Sequence, residues 1–189
     1  MKRAKRSSPG FTLIELLVVV AIIGLLTAIV VPSINGGFKA AKKARAMREI
    51  KDLQGALQRY VAEYNRMPVP SASTAKHGGK DVLFGADNHE VVDILLNRKS
   101  VPAAEMAIIN PRQLAFLDLD SQTLDAYDPD KTGGQSALMD PWGTPYEILM
   151  DMNFDDKIEV DNLEIRSKLA VRSHGADGKA DTDDDLKTW

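Results

Sequence analysis

Hydrophobic and polar positions first mark out a long apolar segment near the start of the chain. Residues 11–31 are apolar except at Thr12, Glu15, Gly24 and Thr27. A helix of this length rises about 1.5 Å per residue and is roughly 30 Å long, enough to cross the hydrocarbon core of a bilayer. The pattern therefore predicts a transmembrane helix over residues 11–31.

Beyond this segment, apolar residues recur at helical spacing. They are Ile50, Leu53, Leu57, Tyr60, Val61 and Tyr64. The charged residues from Lys39 to Arg59, Arg45 and Glu49 included, predict a solvated or inter-subunit face. We expect one helix over about residues 12–64, kinked or locally unwound near Pro32, because proline lacks the N–H that the helix needs. Prolines at 68 and 70 end it.

The second half of the chain mixes helical and strand patterns. Residues 71–79 are small and polar and predict a loop, whereas residues 90–97 and 103–109 have the spacing of short helices. Strand-like runs cover residues 146–150, 157–160 and 169–173, with a hairpin turn at 153–156. The predicted fold class is α+β, with a long N-terminal helix packed on a small C-terminal antiparallel sheet.

Charge is distributed unevenly along the 189 residues, whose formal net charge is −3. The first ten residues carry four cations and no acid, which favours a cytoplasmic amino terminus. An ordinary secretory signal peptide is the alternative, but the apolar run is long for one and no small-x-small cleavage site follows it. The acidic remainder argues against nucleic-acid binding. The chain has no cysteine and therefore no disulfide or thiol chemistry.

Glu15 is a carboxylate inside the apolar segment, where an ionisable group is costly and indicates function. The string Gly-Phe-Thr-Leu-Ile-Glu-Leu-Leu-Val-Val at residues 10–19 resembles the processing signal of type IV pilins and type II secretion pseudopilins. The resemblance implies cleavage between Gly10 and Phe11 by a prepilin peptidase, and N-methylation of Phe11. It also implies that Glu15 pairs with the amine of a neighbouring subunit; the alternative is that Glu15 only reaches the membrane surface.

The C-terminal tail is rich in aspartate, with five within residues 177–185. Such carboxylates, with glycines that let the backbone bend, suit a hard cation that prefers oxygen ligands. A solvated acidic tail is the alternative, although Leu186 and Trp189 could hold the loop against the sheet. The Asp-Pro-Trp-Gly-x-x-Tyr string at 140–146 resembles the start of the sheet in major pseudopilins, and its Trp142 is expected to be a core anchor.

The tail also resembles the calcium loop of major pseudopilins. That resemblance implies side-chain ligands at Asp177, Asp184 and Asp185, with backbone carbonyls near His174 and Lys179. Two further acids, Asp181 and Asp183, could substitute or lie outside the ligand shell. The His174 ring is not expected to bind, because calcium prefers oxygen.

Residues 151–158 begin like an EF-hand loop, but Asp156 replaces the expected glycine and no glutamate occupies the twelfth position. A hairpin turn is the preferred interpretation, and a second calcium site the alternative. The three histidines lack the spacing of a metalloprotease, and no glycine-rich phosphate loop is present. The sequence therefore does not predict an enzyme.

These patterns divide the chain into five parts: a leader (1–10), a transmembrane and assembly helix (11–31), a stalk helix (32–66), a variable connecting region (67–139) and a sheet with the calcium loop (140–189). The family resemblance implies a single-pass inner-membrane subunit with a periplasmic C-terminal domain, assembled into a helical filament. The implied partners are further copies, the prepilin peptidase, minor pseudopilins and an assembly platform with a cytoplasmic ATPase. A type IV pilus subunit and a non-polymerising, calcium-dependent binding protein remain alternatives.

Overall fold

The computed structural model describes residues 11–120, 123, 127, 137–160 and 163–189, without the side chains of residues 29–35. The chain divides into two compact units, Met1–Ala41 and Lys42–Trp189. Helix α1, Leu13–Tyr64, is 52 residues long and contributes to both units.

Helix α1 remains helical across Pro32. Of the two predicted alternatives, local unwinding is therefore wrong, whereas the kink stays a prediction. Proline removes one backbone hydrogen bond and crowds the preceding turn, at a cost of about 3 kcal/mol. The helix-forming residues on both sides keep the remaining hydrogen-bond ladder, and that is sufficient to continue the helix in a segment of this length.

The first unit exposes large apolar side chains along its helix. Leu13, Ile14 and Leu25 are each at least 66% exposed, and Phe11 just before the helix is 78% exposed. Contiguous apolar surface of this kind marks a face that another molecule or a lipid phase covers. In the part of the chain whose side chains are described, no helix combines the length and apolar character that a membrane crossing requires.

The second unit contains the remaining elements. They are α2 (Ser71–His77), β1 (Val82–Phe84), α3 (His89–Leu95), α4 (Ala103–Ile109), β2 (Glu147–Met150), β3 (Ile158–Val160), β4 (Leu163–Ile165), β5 (Leu169–Ser173) and β6 (Leu186–Lys187). The predicted short helices at 90–97 and 103–109 are confirmed, as are the predicted strands at 146–150 and 169–173.

Two antiparallel sheets form. The larger has the strand order β1-β2-β5-β6, and the smaller is the β3-β4 hairpin. One face of the larger sheet, including Ile148 and Val171, packs with the apolar stripe of α1 in the main core. On the other face, Leu149 and Ala170 pack with the β3-β4 hairpin in a second cluster. The predicted α+β architecture is confirmed, with the sheet between the stalk helix and a covering hairpin.

Two local predictions in this unit are wrong. Residues 71–77 form α2 rather than a loop, and Gly78 ends that helix in the left-handed conformation at φ +62°. The strand at Ile158 pairs with β4 instead of returning beside β2. The reason lies in Asp151, whose carboxylate accepts backbone hydrogen bonds from Phe154, Asp155 and Asp156 and turns the chain off the larger sheet.

Candidate functional site

Thr12 and Glu15 form a reciprocal cap at the start of α1. The Thr12 N–H and hydroxyl donate to Oε2 of Glu15 at 2.8 and 2.7 Å. In return, the Glu15 N–H donates to the Thr12 hydroxyl oxygen at 3.3 Å. This is a capping box, which satisfies backbone donors that a helix start otherwise leaves without partners. It holds the Glu15 carboxylate at the first turn. The predicted cleavage position is only partly visible, since Gly10 lies outside the described residues while Phe11 lies within them.

The Asp-Pro-Trp-Gly turn lies beside the start of the C-terminal loop. Asp140 is buried, and its Oδ1 accepts the N–H groups of Trp142 and Thr144, both at 2.9 Å. Its Oδ2 accepts the hydroxyl of buried Ser173 at 2.6 Å. The Ser173 oxygen in turn accepts the Gly175 N–H at 3.1 Å. One buried carboxylate therefore fixes both the turn and the point where the loop leaves β5. Trp142 itself is partly buried and packs against the main core.

The carboxylates of Asp177, Asp184 and Asp185 converge on one hydroxyl, that of Thr182. The Thr182 Oγ1 lies 3.3 Å from Asp177 Oδ1, 2.7 Å from Asp184 Oδ1 and 3.3 Å from Asp185 Oδ1. The carbonyl oxygen of Lys179 is also 3.3 Å away. The fold thus brings together four of the five residues that the sequence assigns to the calcium loop.

Asp184 is held in place by the opposite side of the loop. Its Oδ2 accepts the backbone N–H groups of Ala176 at 2.6 Å and Asp177 at 3.1 Å. These bonds, with the hydroxyl of Thr182 as the largest contribution, lower the pKa of the Asp184 carboxyl. Gly175 makes the approach possible: a Cβ there would lie 2.4 Å from the Asp184 carbonyl oxygen, and its φ is +67°.

Other charged groups of the tail face the sheet instead. Asp181 pairs with buried Arg172 at 3.1 Å and with Lys187 at 3.7 Å. Arg172 also pairs with Glu147 on the adjacent strand, and the Nε2 of His174 lies 3.1 Å from a Glu147 oxygen. Asp181 is therefore engaged with the sheet rather than with the Thr182 hydroxyl.

The tail itself is held against the sheet by Leu186. This residue is 3% exposed and pairs with Ser173 across β5 and β6. Trp189 is 43% exposed, and its ring receives the Lys187 ammonium 5.8 Å from the centroid. The prediction that Leu186 and Trp189 hold the loop against the sheet is confirmed for Leu186, whereas Trp189 lies at the surface.

The loop suits a hard cation in its donor chemistry, because it presents carboxylate and carbonyl oxygens around a point next to Thr182. Within the described ranges, however, no three histidine, aspartate or glutamate side chains are close enough to hold a metal ion by themselves. A cation here would need neutral oxygens besides the carboxylates. The assigned calcium ligands, including the His174 carbonyl, stay a prediction.

Backbone N–H groups of the EF-hand-like loop at 151–158 donate to acidic side chains and hold the loop in its conformation. Asp151 is fully buried and accepts three backbone N–H groups. Asp81 at the sheet edge accepts two more from the loop ends, those of Met152 and Glu159. These acidic side chains shape the path of the chain between β2 and β3.

Glu49 on α1 is 6% exposed and lies inside the second unit. Its carboxylate accepts the Tyr146 hydroxyl at 2.5 Å, the Arg45 Nε at 2.8 Å and the Thr123 hydroxyl at 3.1 Å. Burial, followed by the bond to Glu49, raises the pKa of the Tyr146 hydroxyl. The prediction of a solvated face at Glu49 is wrong, because distant residues surround it and replace the water that it would otherwise bind.

Three residues that organise these candidate sites were not identified from the sequence. Thr12 had a readable signal, since Thr-x-x-Glu before an apolar run is the signature of a capping box. Thr182 lies inside the aspartate-rich run, where its hydroxyl is the polar group shared by the three carboxylates. Glu49 had no local signal, because Tyr146 and Thr123 lie 97 and 74 residues away in the chain.

Comparisons with known proteins agree with this arrangement. The family model of the prokaryotic N-terminal methylation motif matches residues 5–31. The amino-terminal part of the chain therefore carries a motif of the N-terminal methylation class.

Similarity to individual proteins over nearly the whole chain identifies the family more specifically. The chain is 30% identical to "Type II secretion system core protein G" of Aeromonas hydrophila over 98% of its own length and 94% of that protein. It is 28% identical to the protein of the same name from Dickeya chrysanthemi, over 98% of this chain and 88% of that one. The chain belongs to the family of type II secretion system core protein G, the major pseudopilins. No solved structure matches it significantly.

Proposed function

We propose that the chain is the structural subunit of a membrane-rooted type II secretion filament. The observation that carries the proposal is the capped Glu15 at the head of a 52-residue helix whose distal part is built into a folded α+β unit. The full-length relatives with the name of a secretion-system core protein support it. A structural role accounts for the exposed apolar helix, which neighbouring copies would cover in a filament.

Before assembly, the apolar segment would lie in the inner membrane with the leader in the cytoplasm and the second unit in the periplasm. The four leader cations support this orientation. The exposed apolar side chains of the first unit support burial in lipid before assembly.

Cleavage after Gly10 would give Phe11 a charged amine, and Glu15 would pair with that amine in the adjacent copy. The Thr12 N–H and the Thr12 hydroxyl both donate to Oε2 of Glu15, so Oε1 can accept a bond from another subunit. In a low-dielectric environment an unpaired charge is heavily penalised, and pairing would set the stagger between helices.

This role requires partners of defined chemistry. A membrane peptidase would cut and methylate the amino terminus. An inner-membrane platform, driven by a cytoplasmic ATPase, would add subunits, and minor pseudopilins would share the filament. No observation favours a pilus subunit or a non-polymerising binding protein over this proposal.

The amino terminus tests the processing step directly. When the full chain is produced together with a prepilin peptidase, mass spectrometry is expected to find a terminal peptide beginning at Phe11 with one added methyl group. Gly10→Leu is expected to leave the leader attached, because the peptidase must accommodate the residue before the cut. A mature protein that still begins at Met1 in the unsubstituted chain would contradict the proposed processing.

We also propose that calcium binds the C-terminal loop and stabilises the second unit. Asp177, Asp184 and Asp185 would hold it, with the Lys179 carbonyl and a carbonyl at His174. When bound, the ion would neutralise carboxylates that otherwise repel one another across the loop.

Thermal unfolding of the full chain in detergent tests this proposal. Calcium is expected to raise the melting temperature over that measured with a chelator, because the ion binds only the folded loop. The double substitution Asp184→Ala with Asp185→Ala should abolish the difference. Equal melting temperatures of the unsubstituted chain with calcium and with chelator would refute calcium binding.

A further inference from the structure

Phe154 is an exposed aromatic residue on a strained turn. It is 55% exposed, belongs to neither apolar core cluster, and has φ +60°, a left-handed conformation that a bulky residue rarely adopts. The buried carboxylate of Asp151 holds this conformation, because it accepts the N–H groups of Phe154 at 2.6 Å and Asp156 at 2.9 Å. Backbone strain that the surrounding structure maintains points to a functional position. The turn thus presents an aromatic ring to a partner outside its own core.

A cleft of about 400 Å³ lies beside Arg45 on α1. This volume is within the range of pockets that bury a ligand, about 300–1,000 Å³. The lining combines apolar and aromatic side chains with one guanidinium, and aromatic residues, methionine and arginine are enriched at protein interfaces. It includes Arg45, Leu138, Met139, Pro141 and Trp142. Met139 is 44% exposed although it is apolar, so the cleft has an open apolar edge.

The turn and the cleft lie at opposite ends of the second unit. Phe154 lines a groove with Arg66 and Met67, just beyond the end of α1, whereas the cleft lies at the level of Arg45. Because an α-helix rises about 1.5 Å per residue, the part of α1 from Arg45 to Tyr64 is about 28 Å long. Phe154 therefore cannot enter the cleft of its own chain, but it can enter that of another copy.

The charges beside the turn and the cleft are complementary. Asp155 and Asp156 follow Phe154, with side chains 40% and 74% exposed. Each lies near a lysine of its own chain, at 3.9 and 2.9 Å, and a carboxylate can accept several further hydrogen bonds. At the cleft, the side chain of Arg45 is 39% exposed and two of its nitrogens donate within its own chain. A guanidinium has five N–H donors, so Arg45 can also donate to a carboxylate of another copy.

We propose that the Phe154 turn of one copy inserts into the cleft beside Arg45 of the next copy, with the carboxylates of Asp155 and Asp156 facing the guanidinium. This contact joins two different surfaces of the same chain, and a contact of that kind that does not close into a ring generates an open helical filament. The inference rests on the filament proposed above, and adds a contact between folded units to the packing of the apolar helices.

Cysteine cross-linking tests the contact directly, because the chain itself has no cysteine. The full chain with both Phe154→Cys and Met139→Cys is produced in cells with the secretion apparatus and then oxidised. A disulfide requires Cα atoms within about 7 Å, so this double variant is expected to form a ladder of covalent oligomers, whereas each single variant stays monomeric. The matched control is Phe154→Cys with Leu114→Cys, because Leu114 is 38% exposed and does not line the cleft.

Phe154→Gly separates assembly from folding. Glycine adopts a positive φ without strain, so the melting temperature of the second unit is expected not to fall. The filament yield is expected to fall about tenfold or more, because a few aromatic anchors carry most of the binding energy of an interface. A residue that only shaped its own turn would give the opposite result, a stable variant that assembles normally.

The outcomes distinguish the contact from the filament itself. If the unsubstituted chain forms filaments, but the double-cysteine variant gives no ladder or Phe154→Gly assembles normally, the contact is wrong and the filament proposal stands. Cross-links only to a different protein would show that the turn or the cleft binds another partner, and would also overturn the contact. If the unsubstituted chain forms no filaments, both proposals fail.

Discussion

Replacing Glu15 by leucine is expected to reduce filament formation at least tenfold while leaving the second unit folded. Leucine suits the apolar segment but cannot pair with the Phe11 amine of the next copy. Removing one partner of a buried ion pair costs about 3–5 kcal/mol, and each 1.4 kcal/mol is a factor of about ten. Electron microscopy of filaments sheared from cells would measure the loss, with immunoblots confirming equal amounts of subunit.

Two further variants separate the charge of Glu15 from its cap. Glu15→Gln keeps side-chain oxygen and length but loses the charge, so it should assemble as poorly as the leucine variant. Thr12→Val removes the side-chain half of the cap and costs only about 0.5–2 kcal/mol at the helix start, so its defect should be smaller. If the Glu15→Gln variant forms filaments in the same amount as the unsubstituted chain, the carboxylate charge is not required for assembly.

Replacing Glu49 by alanine is expected to destabilise the second unit by about 3 kcal/mol. The substitution leaves the Tyr146 hydroxyl without its acceptor inside the core and removes the carboxylate partner of Arg45. The loss of one partner from a buried charged network has this size. Denaturant unfolding of the full chain in detergent, followed by tyrosine and tryptophan fluorescence, would report it.

Asp52→Ala is the matched control on the same helix. Asp52 has a side chain 56% exposed and lies 4.0 Å from the Arg48 guanidinium, so its removal should change the free energy of unfolding by less than about 0.5 kcal/mol. Tyr146→Phe combined with Glu49→Ala should be less than additive, because both substitutions remove the same hydrogen bond. Equal stability of the Glu49 and Asp52 variants would show that the buried network does not hold α1 to the sheet.

Local patterns predicted the parts of the fold that local physics determines. The apolar spacing from Ile50 to Tyr60 predicted the buried stripe of α1, and short periodic segments predicted α3 and α4. The terminal Leu186 was correctly expected to hold the loop. For the helices the decisive interactions repeat within a few residues of the chain, so that the periodicity contains the information. Leu186 was identified by its apolar character at the end of an acidic run, and its partner Ser173 lies on another strand.

The rest of the fold depends on partners far apart in the sequence. Strand β1 is only three residues long and is defined by pairing with β2, about 65 residues later. Buried Asn88 also depends on distant partners. Its side-chain amide donates to the carbonyl oxygens of Leu138 and Tyr146, and its Oδ1 accepts the Leu138 N–H. These are hydrogen bonds that a neighbouring strand would otherwise make. No local pattern distinguishes such residues from solvated ones.

The candidate sites also combine features that are visible in the local sequence with features that depend on the folded structure. Glu15 stood out because a carboxylate in an apolar run is anomalous wherever the chain folds. The tail carboxylates stood out through composition. The gathering of Asp177, Asp184 and Asp185 around Thr182 required the structure, because it depends on the left-handed turn at Gly175 and on the anchoring of Ser173 to Asp140.

The most direct test of the filament proposal is electron microscopy of the fraction sheared from cells that produce the chain with its secretion apparatus. We expect helical filaments whose main protein is this chain, beginning at N-methylated Phe11, with the apolar helices packed at the centre. A fully processed chain that is recovered only as membrane-bound monomers, at every level of expression, would contradict the account.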